Sequence, residues 1–257
     1  MTDIKNCDAA QQHFVESWDQ QTRAIWPVTY PESLSHELKK LNVSTILDTC
    51  GGTGFPSIEL KQMGWDITYS DGWDTMLGFF SKRLDETKLD IPMYLTRWEN
   101  LSSNIPNTYD ALLCAGNSFV GINTYDHNTP INANAARTNM VLAVKEFHQM
   151  LNTGGVLYID LFKEKYAFPE QPYTRVITTD THRIFTNVSY DPVRDTLASF
   201  TTRSSLLDGS ETDTILKVTP MLAEDLIEVL LEAGFARVER STVDDAEYVD
   251  SFFAFKD

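Results

Sequence analysis

Two carboxylates and a cluster of glycines lie where this chain could bind a nucleotide-like ligand. In the segment ILDTCGGTGFPS, Asp48 ends an apolar run, and Gly51, Gly52 and Gly54 form a tight turn before a predicted helix. Glycine lets the backbone approach a ligand closely, and nucleotides bind at the carboxyl ends of parallel strands. The spacing D-x-x-x-G-x-G differs from the G-x-G-x-x-G pattern of dinucleotide sites. The turn therefore favours a ligand site of another kind.

A further carboxylate, Asp71, ends the next predicted strand, 23 residues after Asp48. A carboxylate at this position can accept hydrogen bonds from both hydroxyls of a ribose. Trp98 closes the third predicted strand, where an aromatic ring can cover an adenine face. We predict that Asp71, together with Gly72 and Trp73, binds the sugar of the ligand and that Trp98 flanks its base.

The elements that position these residues alternate between strand and helix. Residues 42–160 contain apolar, β-branched runs separated by amphipathic segments, a pattern typical of a parallel sheet covered by helices. Residues 1–41 read as two helices, separated by Pro27 and Pro31, that would form a lid; one face of the first carries His13, Phe14, Ser17, Trp18 and Gln21. Residues 173–218 switch to period two, which predicts an inserted antiparallel cover.

The last segment, residues 219–257, reads as one helix followed by two strands. The sequence thus predicts a single α/β domain over residues 1–257. Its core would be a Rossmann-like, seven-stranded mixed sheet.

Composition excludes several classes of protein. The formal net charge of −16 disfavours binding to a nucleic-acid backbone, which needs clustered Lys and Arg. No apolar run approaches the roughly 18 residues that span a bilayer, and no leader peptide is legible, so we expect a cytoplasmic protein without membrane contact. The three cysteines, Cys7, Cys50 and Cys114, have no metal-ligand spacing, which predicts free thiols and no metal site. The oligomeric state stays open, a homo-oligomer included.

The motifs LDTCGGTG, SDGWDTML, RWENL, CAGNSF and LNTGGVLYID together resemble the glycine and sarcosine N-methyltransferases, a family of class I methyltransferases. The resemblance spans nearly the whole chain and includes FVESWD near the N-terminus. It implies S-adenosylmethionine as cofactor and a small molecule as methyl acceptor. Carried over residue by residue, the resemblance implies that Cys50 and Gly52 line the cofactor, that Asp71 holds it and that Trp98 flanks it. It also implies that Ala115 and Asn117 lie near the reacting groups and that Trp18 closes over the methionine part.

Two departures from the family bear on the substrate. The segment IWPVTY places Trp26 or Pro27 where the glycine enzymes have an Arg that pairs with the cofactor carboxylate, a role that Arg23 could take. Phe162 stands where the family has the Arg that binds the carboxylate of glycine. Phe cannot recognise a carboxylate, so the sequence predicts an acceptor other than glycine itself, with Trp26, Asn117 and Phe162 lining its site.

Methyl transfer from a sulfonium is an in-line displacement that depends mainly on positioning. We predict that Asn117 orients the acceptor, and we assign no general base. Tyr125, Asp126, His127 and His182 are candidates for that role. The favoured function is methylation of nitrogen in a small amine, amino acid or guanidine-bearing metabolite. An O-methyltransferase of natural products, an NAD-dependent dehydrogenase and a noncatalytic nucleotide-binding module remain as alternatives.

Overall fold

Strands and helices alternate through the first part of the chain in the computed structural model, which describes residues 9–122 and 132–257. The strands of these residues, in chain order, are β1 Thr45–Asp48, β2 Asp66–Asp71, β3 Met93–Leu95, β4 Tyr109–Cys114, β5 Leu151–Phe162, β6 Tyr173–Thr178, β7 His182–Asp191, β8 Thr196–Ser205, β9 Glu211–Val218, β10 Arg237–Arg240 and β11 Val249–Phe255. The helices are α1 Ala9–Ile25, α2 Tyr30–Lys40, α3 Ser57–Gln62, α4 Asp74–Thr87, α5 Leu101–Asn104, α6 Ala133–Met150, α7 Glu164–Ala167 and α8 Ala223–Glu232.

The main sheet has seven strands in the order β10-β11-β5-β4-β1-β2-β3. Strands β3, β2, β1, β4 and β5 run parallel, while β11 pairs antiparallel with both β5 and β10. The predicted seven-stranded mixed sheet is therefore confirmed. Because β1 lies between β4 and β2, the carboxyl ends of these strands meet at one edge, which brings the glycine turn next to Asp71 and to the segment after Cys114.

Apolar side chains on both faces of the sheet build two core layers. In β1, Ile46 and Leu47 are both fully buried but point into opposite layers, as strand geometry requires. Helices α6 and α8 cover one face, and α2, α3 and α4 cover the other. The inner strands β1 and β4 are thus buried on both faces, which explains their apolar sequences, whereas the edge strand β3 exposes Met93 and Leu95.

The cover is a separate antiparallel sheet of four strands, in the order β6-β7-β8-β9. We call it the cover sheet. Its strands expose alternate residues, so one face points inward and the other outward. Phe200 of β8 lies on the outer face, where 40% of its surface is exposed.

The predicted boundaries needed correction at three places. Pro31 does not separate the first two helices but lies in the first turn of α2, where its missing N–H would have no partner. The third strand ends at Leu95, and Trp98 instead begins a 3₁₀ turn that brings its ring into the core. The last helix, which the sequence predicts over residues 220–234, is shorter, at Ala223–Glu232. None of the described helices is long and apolar enough to cross a membrane.

Candidate active site

The glycine turn after β1 is shaped by close contacts that only glycine permits. A Cβ added at Gly51 would lie 2.3 Å from the ring of Tyr69, which is itself stacked on Phe80. Gly52 has a φ of +52°, and a Cβ there would meet nothing closer than 3.8 Å. The backbone of the turn is therefore packed against the core at Gly51 and open toward the cleft at Gly52.

Asp48 holds this turn from within. Its carboxylate accepts hydrogen bonds from the hydroxyl of Ser57 at 2.5 Å and from the backbone N–H of Cys50 at 3.3 Å. Burial raises the pKa of Asp48 to about 7. The side chain is 2% exposed, and its contacts stabilise the loop between β1 and α3.

Asp71 connects the end of β2 to the same turn. One carboxylate oxygen accepts the backbone N–H of Gly52 at 2.9 Å, and the other accepts that of Trp73 at 2.9 Å. Burial raises the pKa of Asp71 to about 6. Each carboxylate oxygen has a second lone pair, so the side chain can still accept hydrogen bonds from a ligand in the cleft.

The segment after β4 is fixed by a buried carboxylate from β5. Asp160 accepts the backbone N–H of Gly116 at 2.9 Å and that of Asn117 at 2.5 Å. Asn117 adopts a left-handed backbone with a φ of 57°, and its side-chain oxygen accepts the N–H of Phe162 at 2.8 Å. Burial raises the pKa of Asp160 to about 7. These bonds hold Asn117 against the end of β5 and position its side chain at the cleft.

Two helices were predicted to form the lid; α2 packs on the main sheet instead, and we keep the name lid for helix α1 alone. The lid is bound to the core through Asp19. This buried carboxylate pairs with Arg23 at 3.1 Å and with Arg83 of α4 at 2.5 Å, and it accepts the hydroxyl of Thr53 at 2.8 Å. Thr53 belongs to the glycine turn. The lid is therefore attached directly to the loop that it covers.

The lid is also attached to the cover sheet. Arg203 of β8 pairs with Glu16 at 3.1 Å and donates to Gln20 at 2.9 Å. Gln20 also contacts His182 of β7 at 3.1 Å. Helix α1 thus lies between the core and the cover sheet and is hydrogen-bonded to both.

A large cavity lies between the main sheet, the lid and the cover sheet. The lid contributes Phe14, Ser17, Trp18 and Gln21, which share one helical face, as their spacing predicted. Seven of the predicted site residues line this cavity: Trp18, Cys50, Gly52, Asp71, Trp73, Asn117 and Phe162.

A smaller cavity adjoins the first and lies between the lid and the glycine turn. It is lined by the predicted residues Trp18, Trp26, Asp48, Cys50, Gly51, Gly52 and Ala115. The ring of Trp26 packs on that of Tyr30 with centroids 4.3 Å apart. Trp18, Cys50, Gly52 and Ser118 contribute to both cavities, so the two spaces meet at the glycine turn.

Three predicted cofactor residues line neither cavity: Gly54, Gly72 and Trp98. A Cβ at Gly54 would lie 2.5 Å from Phe80, so this glycine serves the packing of α4. Trp98 is 3% exposed and donates its ring N–H to the carbonyl of Thr49 at 2.7 Å. Its ring packs against those of Phe119 and Phe147 in the core, so its contact with an adenine stays a prediction.

The remaining candidates lie elsewhere or outside the described residues. Arg23 lines neither cavity, because its guanidinium pairs with Asp19 and, at 3.0 Å, with Glu59. His182 contacts Gln20 and Thr181 at the rim of the cover sheet and likewise lines neither cavity. Tyr125, Asp126 and His127 fall in residues 123–131, which are not among the described residues.

Sequence reasoning predicted the cover sheet but missed the residues through which it lines the cavity. Its inner face supplies Arg175, Thr186, Leu197, Ser199, Thr201, Thr214, Leu216 and Val218. Period two in this segment identified the strands, but it did not identify which face points toward the cleft. Sequence reasoning also missed Asp160, whose only signal was its place at the end of the LYID strand.

Solved structures with this arrangement identify the fold. An S-adenosylmethionine-dependent methyltransferase from Clostridium acetobutylicum superimposes with a TM-score of 0.74 at 16% identity, over 95% of this chain and 98% of that one. The fold is that of the class I methyltransferases. The sugar N-methyltransferase KedS8 from a Streptoalloteichus species has the same class I methyltransferase fold, with a TM-score of 0.70, 14% identity and coverage of 100% and 97%.

The sequence resembles the glycine/sarcosine N-methyltransferases. A glycine/sarcosine/dimethylglycine N-methyltransferase from Actinopolyspora halophila is 28% identical over 88% of this chain, which spans 37% of that relative's length. The chain spans about half the length of the glycine/sarcosine enzymes that it also matches. No family model matches the chain. The class I methyltransferase fold and this sequence resemblance agree with each other.

Proposed function

We propose that this chain transfers a methyl group from S-adenosylmethionine to a nitrogen atom of a small molecule. The observation that carries the proposal is the carboxylate of Asp71, which lines the large cavity and is held beside the open backbone of Gly52 by a 2.9 Å hydrogen bond. A carboxylate fixed in this way is suited to both hydroxyls of a ribose. The names of the relatives and of KedS8 support nitrogen as the accepting atom.

In this proposal the two cavities bind different parts of the donor. In this proposal Asp71 holds the ribose, and Trp73 and Met76 flank the adenosine in the large cavity. The amino-acid part occupies the small cavity, where Trp18, Trp26 and the glycine turn surround it. The donor supplies a sulfonium-bound methyl group. The protein residues hold it at the junction of the cavities, beside Asn117.

Positioning and the exclusion of water account for catalysis in this proposal. Asn117 is held by Asp160 and by the N–H of Phe162, so its amide nitrogen is the side-chain group left to contact an acceptor. The lid and the apolar residues of the cover sheet close the cavity from above. Holding a nucleophile and a methyl group in near-attack geometry can supply several kcal/mol without a covalent intermediate.

Calorimetry with S-adenosylmethionine, S-adenosylhomocysteine and NAD tests the donor assignment. We expect both sulfur compounds to bind and NAD not to bind. Mass spectrometry of amine mixtures incubated with methyl-deuterated donor tests the reaction, because the site of the label separates transfer to nitrogen from transfer to oxygen. Binding of NAD alone would contradict the proposal. Label found only on oxygen would show that the accepting atom is oxygen and not nitrogen.

A further inference from the structure

A row of polar side chains crosses all four strands of the cover sheet and faces the large cavity. Arg175 of β6 lies opposite Thr186 of β7, which lies opposite Thr201 of β8, which in turn lies opposite Thr214 of β9. All four residues line the large cavity. We call them the polar row. The inward-facing row on one side is more apolar, with Tyr173, Val188, Ser199 and Leu216, and the row on the other side consists of Ile177, Ile184, Arg203 and Thr212.

Arg175 brings a positive charge into the cavity that the described residues leave uncompensated. Its Nη2 donates to the side-chain oxygen of Gln21 at 3.1 Å, and its Nε is buried and donates to no described residue. By contrast, Arg203, on the same inner face, pairs with Glu16 at 3.1 Å. None of the ion pairs among the described residues includes Arg175. An anionic group in the cavity would satisfy this buried N–H and balance the charge.

The threonines add hydroxyl donors beside this cation. Thr186 and Thr201 are buried, and their hydroxyl oxygens are 3.1 Å apart. The hydroxyl of Thr186 also lies 3.3 Å from the oxygen of Gln21 that Arg175 contacts. The hydroxyl of Thr186 donates to Gln21, so a bound carboxylate would replace the Gln21 oxygen as its acceptor. A guanidinium next to hydroxyls released in this way can bind a carboxylate with several charge-assisted hydrogen bonds.

The polar row extends toward Phe162, which stands where the family's sequence pattern has an Arg. The ring of Tyr248 lies 5.4 Å from the ring of Phe162, and the guanidinium carbon of Arg175 lies 5.5 Å from the centroid of Tyr248. Phe162 extends from β5 below, whereas Arg175 extends from the cover sheet above. Tyr248 thus contacts both Phe162 and a positive charge that comes from a different element.

We propose that the polar row binds a carboxylate of the methyl acceptor, which makes the acceptor an amine that also carries a carboxylate group. The inference rests on the proposed function. The donor has a carboxylate as well, but the small cavity proposed for it contains no residue of the row. The acceptor's carboxylate would contact Arg175 and the threonines, and its amine would point toward Asn117 and the donor.

The first experiment compares matched pairs of amines, each a carboxylate and its neutral amide: glycine and glycinamide, β-alanine and its amide, and 4-aminobutyrate and its amide. Methyl transfer from deuterated donor is measured for the natural chain and for Arg175→Met, Arg175→Lys and Arg183→Met. We expect a preference of at least about tenfold in kcat/KM for a carboxylate over its amide, as one charged hydrogen bond can give. Arg175→Met should abolish the preference, and Arg175→Lys should retain part of it.

Arg183→Met is the matched control, because Arg183 lies on the outer face of the neighbouring strand over the ring of Phe185. It removes the same charge without touching the cavity and should leave the preference unchanged. An equal or larger rate with the amides, or a preference that survives Arg175→Met, would overturn the inference.

If no amine of the panel is methylated, a binding measurement still tests whether the polar row binds a carboxylate. The melting temperature of the protein saturated with S-adenosylhomocysteine is measured with each carboxylate and each amide. We expect stabilisation by carboxylates in the natural chain and in Arg183→Met, and none in Arg175→Met. The absence of stabilisation by every carboxylate in the natural chain would refute the role of the row.

A third comparison separates this inference from the proposed donor site. The dissociation constants of S-adenosylhomocysteine and of methylthioadenosine, which lacks the amino-acid part, are measured for Arg175→Met. We expect both to stay within about twofold of the natural chain, since the donor makes no contact with the row. A selective loss of S-adenosylhomocysteine binding would assign Arg175 to the donor instead. Failure of the natural chain to bind either nucleoside would count against the proposed function.

Discussion

The carboxylate of Asp71 and the backbone N–H of Gly52 lie 2.9 Å apart and join the ends of two adjacent strands. Both residues line the large cavity at the point where we place the ribose of the donor. Asp71→Asn replaces a charged acceptor of two backbone N–H groups with a neutral amide. We expect the dissociation constant of S-adenosylmethionine to rise at least about tenfold, since a hydrogen bond to a charged group contributes about 1.5–3 kcal/mol.

Calorimetry measures this effect, and Asp66→Asn is its control. Asp66 begins the same strand and is exposed, so its substitution should leave binding unchanged. Equal dissociation constants for Asp71→Asn and the natural chain would remove Asp71 from the donor site.

Donor binding should also depend on pH through Asp71. Burial raises the pKa of its carboxyl group to about 6, and the ionised form is the one that accepts both ribose hydroxyls. We expect the affinity to be constant above about pH 7 and to fall by up to about tenfold per unit below pH 6. Calorimetric titrations between pH 5 and 8 test this, and a flat profile would contradict it.

The central part of the fold could be predicted because its signals are local. The turn after Asp48, the aspartate at 71 and the alternating apolar runs each follow from short-range patterns, and they gave the parallel strands and one edge of the cleft. The position of Trp98 could not be predicted in the same way. Its ring faces the core because β3 ends at Leu95 and a 3₁₀ turn follows, a change that three residues of sequence do not specify.

The acceptor side of the cavity depends on tertiary contacts. Period two shows that Arg175 and Val176 point to opposite faces of a strand, but only the packing of the cover sheet shows that Arg175 faces inward. Similarly, Arg23 was a plausible partner for a cofactor carboxylate until the fold placed Glu59 and Asp19 next to it.

Gly51→Ala should destabilise the protein. The added Cβ would lie 2.3 Å from the ring of Tyr69, which cannot move away because it is stacked on Phe80 at 3.9 Å. We expect a loss of about 1–3 kcal/mol in the free energy of unfolding, as is typical of overpacking. Urea denaturation measures it. Combining Gly51→Ala with Tyr69→Leu should cost less than the sum of the two single substitutions, and strict additivity would argue against this clash.

Asp19→Asn should loosen the lid. The substitution removes the charge that pairs with Arg83 and Arg23 and weakens the bond from Thr53. We expect a loss of about 1.5–3 kcal/mol in the free energy of unfolding and faster hydrogen exchange in α1. The control is Glu37→Gln, which breaks the exposed pair with Lys40 and should cost less than about 1 kcal/mol. Unchanged exchange in α1 would show that other contacts retain the lid.

Asp160 should make the stability of the fold depend on pH. Burial raises the pKa of this carboxyl group to about 7, well above the value of about 3.9 in an unfolded chain. The folded state therefore binds a proton that the unfolded state has lost. The resulting contribution is complete below about pH 4 and disappears as the pH rises through about 7, with a slope of at most about 1.4 kcal/mol per pH unit.

Urea denaturation at pH 5 to 8 tests this prediction with Asp160→Asn. The substitution should flatten the decline in stability over this range, whatever its effect on stability at a single pH. Asp213→Asn removes an equal charge from the exposed end of β9 and should leave the slope as it is. Identical slopes in the natural chain and Asp160→Asn would exclude Asp160 as the cause.

The four strands of the cover sheet each contribute one side chain to the polar row, at positions separated by regular hairpin pairing. Redesign for a new acceptor can therefore be approached as a small combinatorial library at residues 175, 186, 201 and 214. None of these positions belongs to the glycine turn or to the strand ends that form the other half of the cleft. Variants of such a library would differ in which compound they modify while drawing on the same methyl source.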